Sequence, residues 1–202
     1  MHPLFNKINY KVYSNLYSVK EYKKGSLIFS EGEICDAIGL IIKGEIQIST
    51  LTNNDKEYII STLHKDDIFG ENLLFSDNNQ YLGDCISTID SKILYINKSN
   101  LFILLENKQI LENYLKIISE KNTLLRQNLK LFSQKTIEDR IMFYLISGQK
   151  KLNSNIIPIK SKESLARILN IPRPSLSREL IKLKEKGIID FDRYNIIMKK
   201  TA

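Results

Sequence analysis

Seven residues constrain this chain more than any others. Leu111, Leu115, Ile118, Asn122, Leu125, Leu129 and Phe132 are separated by steps of 4, 3, 4, 3, 4 and 3. A repeat of this period puts all seven on one seam of a continuous helix, with Leu115, Asn122 and Leu129 at a positions and Leu111, Ile118, Leu125 and Phe132 at d. An apolar stripe can simply pack on its own domain. Two features point instead to a second copy of the chain: the repeat holds for three heptads, and an Asn stands at an a position. There it can pair with its symmetry mate and hold two strands in register, at a cost in stability. Ser99 is the expected cap of the helical region. Residues 99–133 therefore read as a dimerisation helix, and a homodimer is the expected assembly.

Before this helix the pattern is different. From Lys20 to about Ile96, short apolar runs are broken by turn residues. Leu27-Ile28-Phe29 precedes Glu31-Gly32, and Ile38 to Ile42 precedes Lys43-Gly44. Glu45-Ile46-Gln47-Ile48-Ser49 alternates polar and apolar, the period of a half-buried strand. Tyr58-Ile59-Ile60 follows the turn-like Asn53-Asn54-Asp55, and Ile93 to Ile96 closes the segment. Strands this short and closely spaced predict a β-sandwich or barrel over residues 1–98.

After the helix, Thr136 looks like an N-cap, with Glu138 and Asp139 complementing the helix dipole. Ile137, Ile141, Tyr144 and Leu145 form an apolar face, and a loop is expected from Gly148 to Asn155. A short strand at Ile156 to Ile159 follows. Ser161 caps a helix through Leu169 whose inner face is Leu165, Ile168 and Leu169. Asn170-Ile171-Pro172 makes a tight turn, and Pro174 suits the first turn of another helix. Gly187 is a good C-terminal stop. Ile188 to Phe191, a turn at Asp192 to Tyr194, and Asn195 to Met198 read as a hairpin wing. Residues 134–202 thus describe a winged helix-turn-helix. The whole is an α+β chain: a β-rich front, a long helix, and a small helical domain with a wing.

Charge separates the same parts. Residues 1–132 carry 15 Lys/Arg and 16 Asp/Glu, a balance of −1, and residues 133–202 carry 15 and 7, a balance of +8. The basic end is where a polyanion would be met. At about 100° per residue, Leu176, Leu180 and Leu183 form the buried stripe of the helix from Arg173. Arg178 and Glu185 lie opposite, flanked by Ser175 and Lys182. A solvated charged face is the ordinary meaning of such a pattern. The preceding helix, tight turn and basic domain make it a DNA-reading face. Arginine can bond guanine O6 and N7 in a bidentate manner, so Arg178 is the expected base reader and Arg173 a second. Ser175, Lys182 and the helix N-terminus suit phosphate. Ser177 and Lys162 complete the expected DNA-contacting set. The competing reading is a sensor whose helix-turn-helix binds a protein partner.

Several classes are disfavoured. No run approaches the about 18 apolar residues of a membrane span, and Met1 to Lys7 lacks the apolar core of a signal peptide, so a cytoplasmic location without membrane association is expected. Cys35 and Cys85 are far apart and too few for a typical iron–sulfur cluster. They read as semi-buried thiols, with a redox role as the alternative. His2 and His64 are expected at the surface, and two isolated histidines cannot furnish a metal site. No catalytic triad, Walker loop or GxGxxG appears. No enzyme, metal or cofactor is expected.

Four motifs, in order along nearly the whole chain, make it resemble the Crp/Fnr (cyclic-AMP receptor protein/fumarate–nitrate regulator) family of bacterial transcription factors. Tyr22 to Glu33 resembles the family's opening β-roll strand and turn. Ile42-Lys43-Gly44-Glu45-Ile46-Gln47-Ile48 resembles the next glycine-turned hairpin, and Ile68-Phe69-Gly70-Glu71-Asn72-Leu73-Leu74-Phe75 the effector-pocket segment. Ile171-Pro172-Arg173-Pro174-Ser175-Leu176-Ser177-Arg178 is similar to a recognition-helix variant of low-GC Gram-positive members. The resemblance implies an N-terminal double-stranded β-helix (jelly-roll) effector domain, an inverted-repeat operator of double-stranded DNA, and RNA polymerase as a possible partner. It also implies an effector pocket at Phe69, Gly70, Glu71, Asn72, Tyr81 and Leu82.

The departures are informative. Members that bind cyclic nucleotides carry an Arg about ten positions after Phe-Gly-Glu, for the cyclic phosphate. Here the stretch is Gln80-Tyr81-Leu82-Gly83-Asp84, where Asp84 would repel that phosphate. Cyclic AMP is therefore not expected, and the effector is left unidentified. Glu71, at the ribose-contacting position, is either a ligand contact or a structural remnant. The family's N-terminal cysteine cluster and axial haem ligands have no counterpart. The Glu that follows the first recognition Arg in the best-known members is Pro174 here, which removes an acceptor for cytosine and predicts a different operator.

Overall fold

The computed structural model describes residues 2–51 and 57–199. The turn expected at Asn53-Asn54-Asp55 lies outside the described residues. The chain divides into two compact units, Met1–Glu120 and Lys121–Ala202.

The first unit contains eight strands: β1 (Ser18–Tyr22), β2 (Leu27–Phe29), β3 (Ala37–Lys43), β4 (Glu45–Leu51), β5 (Glu57–His64), β6 (Ile68–Phe69), β7 (Asp84–Ser87) and β8 (Ser91–Asn97). They form two antiparallel sheets, ordered β1-β8-β3-β6 and β2-β7-β4-β5. Gly44, at φ +99°, turns β3 into β4 with no room for a Cβ against Ser91. The first sheet is covered on both faces. Ile41 and Ile93 join Phe29, Ile46, Phe69 and Cys85 in the interior of the roll. Ile38, Leu40, Leu94 and Ile96 pack the other way, against Leu4, Phe5, Leu101, Leu104, Ile110 and Tyr114. Two-sided burial is why Ile38 to Ile42 is an unbroken apolar run, with no alternation.

The second layer is made by an N-terminal arm and the first helices. The arm has two 3₁₀ turns, Pro3–Phe5 and Tyr10–Leu16. The helical region is not one helix from Ser99. It begins as α1 (Lys98–Leu105), pauses at Glu106-Asn107, and resumes as α2 (Lys108–Phe132). Asn97, not Ser99, caps α1 by accepting from the Asn100 N–H at 2.8 Å. Asn107 accepts from the Gln109 and Ile110 N–H groups at 3.0 and 3.2 Å, which starts α2 afresh. Three asparagines hold the arm in place. Asn100 donates to the Leu16 carbonyl, Asn107 to the Tyr13 hydroxyl, and Asn113 to the carbonyls of Leu4 and Asn6.

His2 corrects its surface expectation, since it is 3% exposed. Its Nδ1 accepts from the Leu4 N–H at 3.1 Å and its Nε2 donates to the Asp67 carbonyl at 3.2 Å. It is the cap of the first 3₁₀ turn. His64 is at the surface, 3.1 Å from Glu45. Cys35 and Cys85 are free thiols, 1% and 0% exposed, so they are fully and not partly buried.

The second unit holds the end of α2 and then α3 (Ile137–Leu152), β9 (Ile156–Pro158), α4 (Lys162–Leu169), α5 (Arg173–Glu185), β10 (Ile189–Phe191) and β11 (Asn195–Met198). The strands form an antiparallel sheet ordered β10-β11-β9. The core brings together Leu131, Ile141, Leu145, Ile157, Leu165, Leu169, Leu176, Leu180, Leu183, Ile189 and Ile196. Thr136 caps α3 as expected. The loop predicted from Gly148 is helix up to Leu152, ending at Asn153 in the left-handed region. Gly148 serves packing here, because a Cβ would stand 3.3 Å from two Ile157 carbons. On α4 the inner face is Leu165, Ala166 and Leu169, whereas Ile168 is 47% exposed. Residues 165, 166 and 169 share one side of the helix, and 168 falls off its edge.

Candidate nucleic-acid interface

The local sequence fixes α5 firmly. Ser161 caps α4 by accepting from the Ser164 N–H at 3.0 Å. The helix stops because Asn170 takes a left-handed conformation, φ 50°, letting the Ile171 N–H reach back to the Ala166 carbonyl. Pro172 and Pro174 then start α5 where no N–H is needed. Leu176, Leu180 and Leu183 are each 0% exposed and pin α5 to the core.

That anchoring turns the polar face outward. Arg173, Arg178 and Lys182 are exposed, while Ser175, Ser177 and Lys162 are half-buried. Arg178 donates to the Ser175 hydroxyl at 3.4 Å, one turn back toward the helix N-terminus. The cations near the C-terminal half of α5 are already paired. Lys182 lies 3.2 Å from Glu179, Lys184 2.6 Å from Asp190, and Lys186 2.8 Å from Glu138. Among the described residues, neither Arg173 nor Arg178 is in an ion pair. Their charge is available to an incoming anion without displacing a carboxylate. Lys162 has its ammonium 4.3 Å from the centre of the Phe191 ring, a cation–π contact that fixes it beside the wing.

Sequence reasoning missed two residues here. Glu179 is largely buried and draws in Lys182, so that lysine is less free than its place on the wheel suggested. Arg193 stands at the exposed tip of the wing, its guanidinium 5.2 Å from the Tyr194 ring. Asp192 builds that tip by accepting from the Tyr194 and Asn195 N–H groups, both at 2.7 Å. The Asp-Arg-Tyr-Asn turn between two apolar runs was the available signal.

The seam on α2 lies at the surface of the single chain. Leu111, Leu115, Leu125, Leu129 and Phe132 are 36–61% exposed, Asn122 is exposed, and Ile118 is half-buried. Leu124, outside the seam, is exposed as well.

Of the six expected effector-pocket positions, Phe69 and Tyr81 both pack against Phe29 in the roll interior. Phe69 is buried in the roll, and Tyr81 stacks on Phe29 with ring centres 3.7 Å apart. Phe29 also meets Phe69 at 5.6 Å, and Phe69 meets Tyr95 edge-on at 6.1 Å. The Tyr95 hydroxyl bonds that of Tyr22 at 2.9 Å. Asn72 and Leu82 face solvent, while Glu71 is half-buried. Gly70, at φ +81°, lies so close to Ala37 and Cys35 that a side chain would clash. Burial pushes the Cys35 thiol up and that of Cys85 up to about 12. Such thiols are poor nucleophiles. Among the described residues, no three His, Cys, Asp or Glu side chains cluster as a metal site, and no helix is long and apolar enough to cross a membrane.

Comparison with known proteins agrees with this fold. The family model described as "Cyclic nucleotide-binding domain" matches residues 19–108. An anaerobic regulatory protein of Bacillus subtilis (strain 168) is 26% identical, with 91% of this chain and 80% of that protein covered. A cyclic AMP receptor protein of Thermus thermophilus is 21% identical, with 90% and 83% covered. Among solved structures, CprK complexed with OCPA superposes with a TM-score of 0.70 at 15% identity, covering 95% of this chain and 91% of that one.

Proposed function

We propose that this chain is a transcription regulator of the Crp/Fnr type that binds an inverted-repeat operator as a homodimer, under an effector other than a cyclic nucleotide. The observation that carries the DNA reading is the unpaired Arg173 and Arg178 on a helix held outward by three fully buried leucines. Arg178 reads a base, with guanine O6 and N7 as its natural partners. Arg173 is a second base reader, Ser175, Ser177 and the helix N-terminus take phosphate, Lys162 and Lys182 add longer-range attraction, and Arg193 meets the backbone beside each half-site. The homodimer rests on the exposed 111–132 seam, which has the apolar repeat and the central Asn that two-stranded coiled coils use.

The effector reading rests on charge and space. A cyclic nucleotide needs a cation for its phosphate, and the first arginine of this chain is Arg126. Asp84 is committed to the Glu31 N–H at 2.8 Å and carries the wrong sign. The roll interior is occupied by Phe29, Phe69, Tyr81 and Tyr95.

The test is selection of bound fragments from a random duplex pool by the full-length protein without added ligand. Enrichment of an inverted repeat is the expected result. Retention that is salt-sensitive but unselective would mean that an effector must first align the recognition helices. No retention even at low salt would end the DNA reading and favour a protein partner for the basic domain.

A further inference from the structure

A cavity of about 430 Å³ lies in the first unit, away from the roll interior. It is lined by the N-terminal arm and by the sheet face that carries Val19 and Leu94, which sit directly opposite each other on β1 and β8. The roll interior is on the other face of that sheet, where Ile93 and Phe69 pack. Three rings of the arm contribute to the lining: Phe5 and Tyr10 with centres 5.8 Å apart, and Tyr10 and Tyr17 6.1 Å apart. The charged lining residues are Lys65, Asp66 and Lys92, and Lys92 is already paired with Glu21 at 2.8 Å. Asp66 is unusual on two counts. It holds a left-handed backbone at φ +75°, and its carboxylate is short of donors. Among the described residues, Oδ1 is enclosed without a hydrogen-bond partner, and Oδ2 reaches only Lys65, at 3.7 Å.

We propose that this cavity binds an aromatic α-amino acid, with its ring among Phe5, Tyr10 and Tyr17, its ammonium on Asp66 and its carboxylate toward Lys65. Each simpler ligand leaves one feature unanswered. A neutral apolar molecule would cover the Asp66 carboxylate without giving it a donor. An amine alone would leave Lys65 without an anion, and an anion alone would face Asp66. A zwitterion on an aromatic body answers Asp66, Lys65 and the rings together. The volume falls in the range of small-molecule sites, about 300–1,000 Å³.

The chain has no tryptophan, so the emission of L-tryptophan reports its own binding to the full-length protein. Saturable binding of one molecule per chain is expected. Asp66→Asn keeps the fold, since Asn tolerates positive φ well. It should weaken L-tryptophan and tryptamine by about tenfold or more, the scale of a lost charged hydrogen bond, and should not weaken indole-3-propionate. Lys65→Met, at an exposed position, should do the reverse for the two indole analogues and also weaken L-tryptophan. Absence of saturable binding at millimolar L-tryptophan overturns the proposal. So does wild-type affinity in both variants. Binding lost in Tyr81→Ala but kept in Asp66→Asn would move the site to the roll interior, which also overturns it.

Discussion

Arg178 and His2 mark what single residues can and cannot disclose. Arg178 was legible because a helical wheel needs only the spacing of Leu176, Leu180 and Leu183 to know which side faces out. Replacing it by Ala should weaken specific DNA binding by about 1–3 kcal/mol and relax one position in each half-site, without changing the salt slope by more than about one ion. An unchanged sequence logo and affinity would show that it reads no base. His2 was illegible because its burial depends on Asp67, sixty-five positions away, and no local pattern encodes such a contact. Its imidazole is held below the usual range, mainly by burial. The neutral ring is the one that both accepts from Leu4 and donates to Asp67. Above the ordinary imidazole pKa, folded and unfolded chains bind no proton here. As pH falls through that range the unfolded chain takes up a proton first, so stability is lost. Urea midpoints should therefore drop from pH 7.5 to pH 5.5 in part through His2, and His2→Asn should flatten that portion. The same drop in His2→Asn as in the native chain would assign the acid sensitivity to other groups.

Elements were legible where one period ran long enough and missed where a tertiary contact set the end. The strands at Leu27–Phe29, Ala37–Lys43 and Glu45–Leu51 and the α4–turn–α5 unit follow the sequence closely. The two-residue β6 and the short β7 carry too few residues to show a period. The pause at Glu106-Asn107 was hidden because Asn107 caps α2 from inside a helical pattern. Gly148 was misread for a related reason: it lies against Ile157, and its missing side chain is used for packing. The effector positions were legible only by resemblance, because contacts such as that of Tyr81 on Phe29 join residues far apart in the chain. On α2, Asn122 offers a test. Asn122→Leu should raise the melting temperature of the assembly while broadening its oligomer distribution in light scattering. A variant that stays strictly dimeric and melts lower would remove the register role of that position.

For the whole molecule the question is whether two recognition helices act as one ligand. Successive major grooves on one side of B-DNA are about 34 Å apart, so an inverted repeat gains from both helices only while the 111–132 seam holds the copies together. The second half-site then binds at an effective concentration set by that connection, and avidity can exceed either single affinity by about 10²–10⁴. Leu125→Lys with Leu129→Lys puts two like charges into each strand of the seam, at positions 57% and 61% exposed in the single chain. Neither side chain belongs to the core of its own unit, so the monomer should stay folded. Its affinity for the inverted repeat should fall toward that for one half-site, while half-site affinity and the Arg178 contribution stay as they were. Equal losses on both DNAs would mean that the substitutions damaged the DNA-binding unit itself. No loss on either, in a protein still dimeric by light scattering, would mean that the copies pair through another surface and that the heptad repeat serves the chain in some other way.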